Sequence, residues 1–355
     1  MALHLYTGSS GSGKSCALYS EIIDQSIKNP KDRFFVIVPE QFSMQAQKEL
    51  VRLHPRHGLL NIDALSFNRL AHRVFDEVGV KQAELMEEIG KSFVLQKIAL
   101  DTTERMSLLG SSLTKPGNIA EMKSVISELM LYGIKPDDLA GAEERKAGGR
   151  SYYPAQLGLK LHDIELIYKE FRDYLDRHSY MTSEEIPDVL ARVADRSELL
   201  KDSIIVLDGF TGFTPVQLVL VEKLMKLCRE MYVAVTLDTR EDPFGPFRKT
   251  DLFSMSHEMI GQLAGIAAKI GVSVSEPVPI CNVKSGKPKG RFAVSKDLAH
   301  LEANLMRKQH AEYPGEPEDI HLLVASNPLS EIREAAKVIA RLVRERGLRY
   351  RDFAV

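Results

Sequence analysis

Gly8-Ser9-Ser10-Gly11-Ser12-Gly13-Lys14-Ser15 is the stretch from which the fold of this 355-residue chain is read. It fits the phosphate-loop pattern G-x-x-x-x-G-K-[ST]. Glycines let the main chain turn with its amides pointing inward around an anion. A helix that starts at such a loop adds its positive end to the same place. In this reading Lys14 reaches the β- and γ-phosphates, and the Ser15 hydroxyl ligates Mg²⁺. The flanks agree, since Leu3–Thr7 reads as a short strand and Gly13–Ile27 as a helix. The motif therefore predicts binding of a nucleoside triphosphate, ATP, together with Mg²⁺.

Working outward, strand and helix signals alternate. Phe34–Val38 is an apolar run closed by Pro39, as expected of a strand buried on both faces. Ser43–Leu53 reads as a helix capped by Ser43, Leu59–Ile62 as a third strand, and Ser66–Glu77 as another helix. From about residue 84 to 198 strand signals vanish. Glu84–Leu100, Ile119–Tyr132, Pro154–His178 and Ser183–Ala194 read as helices, with loops at Pro116-Gly117 and Gly148-Gly149. Strands return at Ser203–Asp208 and Tyr232–Asp238, with the helix Pro215–Arg229 between them. Phe253–Ile270 reads as a helix and residues 275–292 as a loop. Ile320–Ala325 reads as a strand, Pro328–Arg346 as a helix and Asp352–Val355 as the opening of a further strand, which suggests a protein that continues.

The expected fold is α/β: a P-loop NTPase (RecA-like), mostly parallel sheet with flanking helices, interrupted by an all-helical insertion domain. Four segments follow: 1–83 and 199–315 as the two parts of the phosphate-loop domain, 84–198 as the insertion, and 316–355 as the start of a second motor-like domain.

Composition narrows the function. A formal net charge of −2 excludes a uniformly basic nucleic-acid binder, so any DNA contact must use local patches. Cys16, Cys228 and Cys281 are far apart and form no CxxC pair, which argues against a zinc or iron–sulfur site in this chain. No apolar run is long enough to span a bilayer and no leader is evident, so a cytoplasmic location is expected. His54, His57, His72 and His162 have no metal-site spacing and read as structural.

A phosphate-loop ATPase needs a second strand ending in Asp to hold the magnesium. Ile204-Ile205-Val206-Leu207-Asp208 is the first candidate and Asp238, after Val233–Leu237, the second. In many ATPases a Glu follows the Asp and polarises the attacking water. Here the next residue is Gly209, and loss of a general base commonly costs 10²–10⁴-fold in rate. The residues favour nucleotide binding over hydrolysis.

Several segments, taken in order, carry a resemblance. Tyr6–Ser15 is similar to the first motif of superfamily 1 helicases of the UvrD type. Val36-Ile37-Val38-Pro39-Glu40-Gln41-Phe42 stands at the place of motif Ia. Ala64–Ala71 is similar to the T-F-H-x-[FL]-A-x-R-[LV] segment. Asp208-Gly209-Phe210-Thr211-Gly212-Phe213-Thr214-Pro215-Val216-Gln217 resembles a divergent form of motif II, at the place where true motors carry D-E-x-x-D and a later Gln. Glu331–Ala336 and Tyr350–Val355 resemble the entry into a second motor domain. Together they resemble the N-terminal region of AddB, a component of AddAB-type ATP-dependent helicase/deoxyribonucleases.

The resemblance implies a helicase-like subunit that processes double-strand DNA ends for recombinational repair, beside an AddA-like partner. It implies a degenerate motor that binds ATP and Mg²⁺. An iron–sulfur cluster and a nuclease domain are expected only in a C-terminal region beyond this chain. It also suggests DNA contacts at Gln41, Ser66, Asn68 and Arg69, although Ser66 as a helix cap and Arg69 as a solvated residue is an equal reading. Phe210 and Phe213 suit base stacking or, more simply, packing. Arg333, Lys337, Arg341 and Arg344, on one helix face, and Lys284, Lys287, Lys289 and Arg291, in a loop, fit solvated faces. Two other functions compete: a non-hydrolysing scaffold that docks a partner motor and contacts DNA, and a small-molecule kinase, which the long separation of Gly8 from Asp208 disfavours.

Overall fold

The structure is a computed structural model that describes residues 1–80, 84–113, 115–140, 155–281, 283–284, 287–288, 290–307 and 310–355. The loop assigned to Gly148-Gly149, as well as Gly286 and Lys289, lies outside the described residues. Two compact units are present, Met1–Cys281 and Asn282–Val355.

The first unit opens with β1 (Ala2–Gly8), α1 (Lys14–Lys28), β2 (Phe34–Ile37), α2 (Ser43–Leu53), β3 (Ile62–Leu65) and α3 (Phe67–Val78). A helical stretch follows: β4 (Glu84–Leu85), α4 (Glu88–Asp101), α5 (Gly110–Leu113), α6 (Pro116–Leu131), α7 (Pro136–Ala140), α8 (Ala155–His178) and β5 (Tyr180–Met181). The chain then returns to the sheet through α9 (Ile186–Val193), β6 (Ile204–Leu207), α10 (Pro215–Leu227), β7 (Glu230–Thr236), α11 (Ser254–Ile270), β8 (Ser273–Val274) and β9 (Val278–Pro279).

The main sheet runs β3-β2-β6-β7-β1-β8, with β9 also on β1, and every pairing in it is parallel. Parallel strands need crossovers, and the helices that supply them cover both faces. The period-2 alternation of a strand sorts its side chains. Phe34, Val36, Ile204 and Val206 pack with Leu18, Tyr19, Ile22 and Ile23 of α1 and with Ala46 and Leu50 of α2. Phe35, Ile37, Ile205 and Leu207 face the other way, against residues of α3, α9, α10 and α11. Residues on both faces of β2 and β6 are fully buried, which is why these strands read as continuous apolar runs.

Helix starts follow local chemistry. Thr214 and Gln217 form a reciprocal capping box around Pro215 at the head of α10. Ser66 caps α3 by accepting the Arg69 main-chain N–H. Pro116-Gly117, expected to be a loop, is instead the first turn of α6, because proline at N1 lacks an amide the helix would leave unpaired anyway.

Other expectations also shift. Ser43 does not cap α2. It is the first helical residue after a 3₁₀ turn at Glu40–Phe42. The third strand lies at Ile62–Leu65, not Leu59–Ile62. As the outer strand it tolerates Asp63, which pairs with Arg73 of α3. Helix α4 starts at Glu88, and the preceding Glu84–Leu85 pairs in parallel with Tyr180–Met181, so this stretch contains a short strand pair as well as helices. Within 275–292, β9 pairs with Tyr6 and Thr7 of β1.

The helical stretch has its own core, in which Leu95, Ile98, Ile126, Ile167, Tyr168, Phe171 and Leu175 are buried. Beneath it Asp163, fully buried, accepts the main-chain N–H groups of Ser107, Leu108 and Leu109, each at 2.7 Å. This carboxylate fixes the turn that leads into α5. Asp163→Ala strands these donors and is expected to cost about 2–3 kcal/mol, since hydrogen bonds to charged groups are worth about 1.5–3 kcal/mol. Urea unfolding measures the cost, and faster amide exchange at 107–109 locates it.

The second unit contains β10 (Val283–Lys284) and β11 (Lys287–Pro288) as an antiparallel pair, α12 (Lys296–Asn304) and α13 (Pro328–Arg346). Ile320–Ala325 is not a strand, and Asp352–Val355 holds the end of a 3₁₀ turn rather than the opening of one. Leu322 and Val324 are almost fully exposed, so this apolar run has no neighbour to pair with among the described residues. Arg333, Lys337, Arg341 and Arg344 lie on the exposed side of α13. No helix among the described residues is long and apolar enough to cross a membrane.

Candidate nucleotide site and adjoining groove

Because the main sheet is parallel, the C-terminal ends of its strands share one rim, where open α/β sheets bind ligands. Gly8 ends β1, Pro39 follows β2, Ser66 follows β3, Asp208 follows β6, and Asp238 lies just beyond β7. Strand β7 separates β1 from β6, so the phosphate loop and Asp208 lie two strands apart on that rim.

The loop has the backbone its glycines predict. Gly11 and Gly13 have φ of 77° and 91°, values that suit only residues without a side chain. At Gly8 the constraint is space, since a Cβ would run into the Ile280 carbonyl and the Ser12 hydroxyl. The Ile280 N–H in turn donates to the Thr7 carbonyl at 2.7 Å and holds that segment against β1. Gly13 precedes α1 and supplies no side-chain cap to its first turn. The Ser12 hydroxyl is buried without a hydrogen-bond partner. Lys14 donates from Nζ to the Ser9 carbonyl at 3.1 Å, folding back over the loop. A buried orphan hydroxyl, uncapped amides and an ammonium around one turn fit the donor set of a phosphate chain.

Asp208 is buried, and its Oδ2 accepts a 2.8 Å hydrogen bond from the Tyr19 phenol. Burial and the adjacent carboxylate push that phenol far above its ordinary range, so Tyr19 remains a neutral donor. The Asp208 main-chain N–H donates to the Ile37 carbonyl, so both ends of the residue are held. Sequence reasoning missed Tyr19. Its signal was the i+4 spacing from Ser15, which sets the two one turn apart on the same face of α1. Asp238, the second candidate, is engaged by its own loop: Arg240 donates from Nε and Nη2 to both carboxylate oxygens. Among the described residues no group of three or more His, Cys, Asp and Glu side chains could hold a metal by itself.

Gly209 is more than a missing carboxylate. Its φ of 80° turns the chain sharply after Asp208, with Pro39 and Phe42 packed alongside. Gly209→Glu is expected to leave ATP turnover at the wild-type level, because a Cβ at this position meets Pro39 and Phe42 rather than the glycine loop. It is also expected to cost about 1–2 kcal/mol, the penalty of that conformation for residues with a Cβ. Steady-state ATPase and denaturant unfolding check both expectations, and a tenfold gain in turnover contradicts the first.

A cavity of about 490 Å³ adjoins this turn, and Gln41, Ser66, Asn68, Gly209, Thr211 and Gln217 are among the residues that line it. Three of the four suggested DNA-contact residues are thus brought together. Arg69 is exposed and lies 3.5 Å from Glu40. Gln217 spends its side-chain oxygen on the cap of α10, accepting the Thr214 N–H at 3.0 Å. Phe210 packs against Phe67 and Phe213, as the simpler reading of these aromatics expected.

Comparison with known proteins identifies relatives. The family model described as "ADDB, N-terminal" matches residues 5–302. The chain is similar over its whole length to proteins named as the B-type subunit of an ATP-dependent helicase/deoxyribonuclease. The protein from Lachnoclostridium phytofermentans is 38% identical over 358 residues, covering 100% of this chain and 30% of that protein. Those from Caldanaerobacter subterraneus subsp. tengcongensis and Geobacillus kaustophilus are 33% and 32% identical, again covering 100% of this chain and 29% and 30% of theirs. The chain thus spans about 30% of the length of the curated relatives it matches.

Proposed function

Since this chain belongs to the family of AddB N-terminal regions, we propose that it is the nucleotide-binding, helicase-like part of a subunit in an ATP-dependent helicase/nuclease acting on double-strand DNA ends. In this reading the sheet is a P-loop NTPase core and the helical stretch at 84–198 is an insertion in it. Residues 316–355 begin a second motor-like domain. ATP sits on Gly8, Ser9, Ser10, Gly11, Ser12, Gly13, Lys14 and Ser15, with Mg²⁺ between Ser15 and Asp208. The groove of Gln41, Ser66 and Asn68, rimmed by Arg69, takes DNA, and an AddA-like protein is the partner. The observation that carries the reading is the arrangement at the rim. The glycine loop gathers an unpartnered buried hydroxyl and the Lys14 ammonium at the start of a helix, and a buried carboxylate stands two strands away.

Titration with a fluorescent ATP analogue, comparing wild type with Lys14→Ala, tests the reading. Equal affinity of the two chains overturns the nucleotide assignment.

The second reading, a non-hydrolysing scaffold that docks a partner motor and contacts DNA, is favoured by the left-handed Gly209 after Asp208. DNA-end processing by the assembled complex separates the two. Loss of processing in Lys14→Ala argues against a passive scaffold, and unchanged processing supports it.

A further inference from the structure

We propose that Tyr19 is a positioning residue for the magnesium-holding carboxylate, acting through its hydrogen bond to Asp208; this rests on the nucleotide reading above. Three observations converge. The Tyr19 phenol and Asp208 carboxylate meet at 2.8 Å in a buried position, although they are 189 residues apart in the chain. Tyr19 is itself 3% exposed and packed in the core between α1, α2 and the sheet, so its ring has little freedom. Ser15 lies one turn before it on α1, so one helix carries both Ser15 and the phenol that holds the Asp208 carboxylate.

A carboxylate has about four lone-pair directions. The phenol occupies one on Oδ2 and, with the main-chain bond from Asp208 to Ile37, fixes where the others point. Ligating carboxylates are oriented by such outer partners, and loss of one typically costs about 10–100-fold in metal affinity. The device also suits a site whose turn after Asp208 carries no second acid. With glycine at 209, nothing from that position steers the aspartate, and α1 does so instead.

The test is the Mg²⁺ dependence of nucleotide binding by the full 355-residue chain, read with a fluorescent ATP analogue. Tyr19→Phe keeps the ring and removes the hydroxyl. The expected result is a rise of about tenfold or more in the Mg²⁺ concentration giving half-maximal binding, with metal-free binding of the analogue unchanged. In an Asp208→Asn background the same substitution is expected to shift nothing further, because the phenol then has no ligand to orient. A merely structural phenol lowers the unfolding midpoint but leaves the Mg²⁺ midpoint at the wild-type value, and that result overturns the proposal. An equal Mg²⁺ shift in the Asp208→Asn background overturns it too. If the wild-type chain binds no nucleotide at any Mg²⁺ concentration, the nucleotide reading itself fails, an outcome distinct from the other two.

Discussion

Lys14→Ala is expected to weaken binding of Mg-ATP by about 10–100-fold, because a hydrogen bond from an ammonium to an anionic partner is worth about 1.5–3 kcal/mol and each 1.4 kcal/mol is tenfold. The lysine stands at the first residue of α1, where its charge adds to the positive end of the helix. Its Nζ donates to the Ser9 carbonyl. A triphosphate offers the ammonium charged acceptors, and the gain falls on binding. The variant's own stability is accordingly expected to stay within about 0.5 kcal/mol of wild type, as for most partly exposed positions. Thermal shift reads both quantities at once. Wild type rises in midpoint with Mg-ATP concentration by mass action, and the variant needs a correspondingly higher concentration for the same rise. Overlapping curves for the two chains contradict the expectation.

Lys91→Met is expected to destabilise the first unit by about 3–5 kcal/mol, the usual cost of leaving one member of a buried ion pair alone. Lys91 of α4 is 2% exposed, and its ammonium donates to both carboxylate oxygens of Glu184 at 2.7 and 2.8 Å and to Glu88 at 2.6 Å. Glu184 lies in the 3₁₀ turn just before α9. The pair therefore joins the core of the helical stretch to a helix whose Ile186 and Leu190 pack under the main sheet.

The same pair sets a pH dependence. Burial by itself raises the Glu184 carboxyl, but hydrogen bonds from Lys91 and Ser127 outweigh it and leave the group below its ordinary value of 4.5. A carboxyl lowered by folding contributes stability that is present above 4.5 and lost as pH falls through the folded value. In Lys91→Met the burial remains without the partner, so the carboxyl moves above its ordinary value and the sign reverses. The gap between variant and wild type is expected to narrow as pH falls toward about 4. Chemical unfolding at pH 7 and pH 4 measures it, and a constant gap contradicts this account of the pair.

The parts of the fold that were legible are those where one residue type dictates the backbone. The glycines at 8, 11 and 13 announced the loop, and α13 has the bounds Pro328–Arg346 read from the sequence, with Gly347 closing it in the left-handed region. Continuous apolar runs marked β2 and β6 because both their faces are covered. The failures share a physical cause, which is that strand identity depends on a neighbour. Ile320–Ala325 is as apolar as a strand yet pairs with nothing among the described residues, whereas Ile62–Leu65 contains an aspartate and pairs with β2. The site divides in the same way. The loop was legible because its parts are contiguous. The Tyr19–Asp208 contact was not, since only the folded sheet brings the first helix to the end of β6.

The parallel sheet gives the first unit a front and a back. The glycine loop, Asp208 and the groove all crowd the front, where the strands end. The back, where strands begin, carries short polar turns, such as the exposed Lys31 ahead of β2 and the exposed Lys201 ahead of β6. That rim is the natural attachment point for a dye or a surface tether, since a reporter fixed there stays clear of the candidate site on the opposite edge.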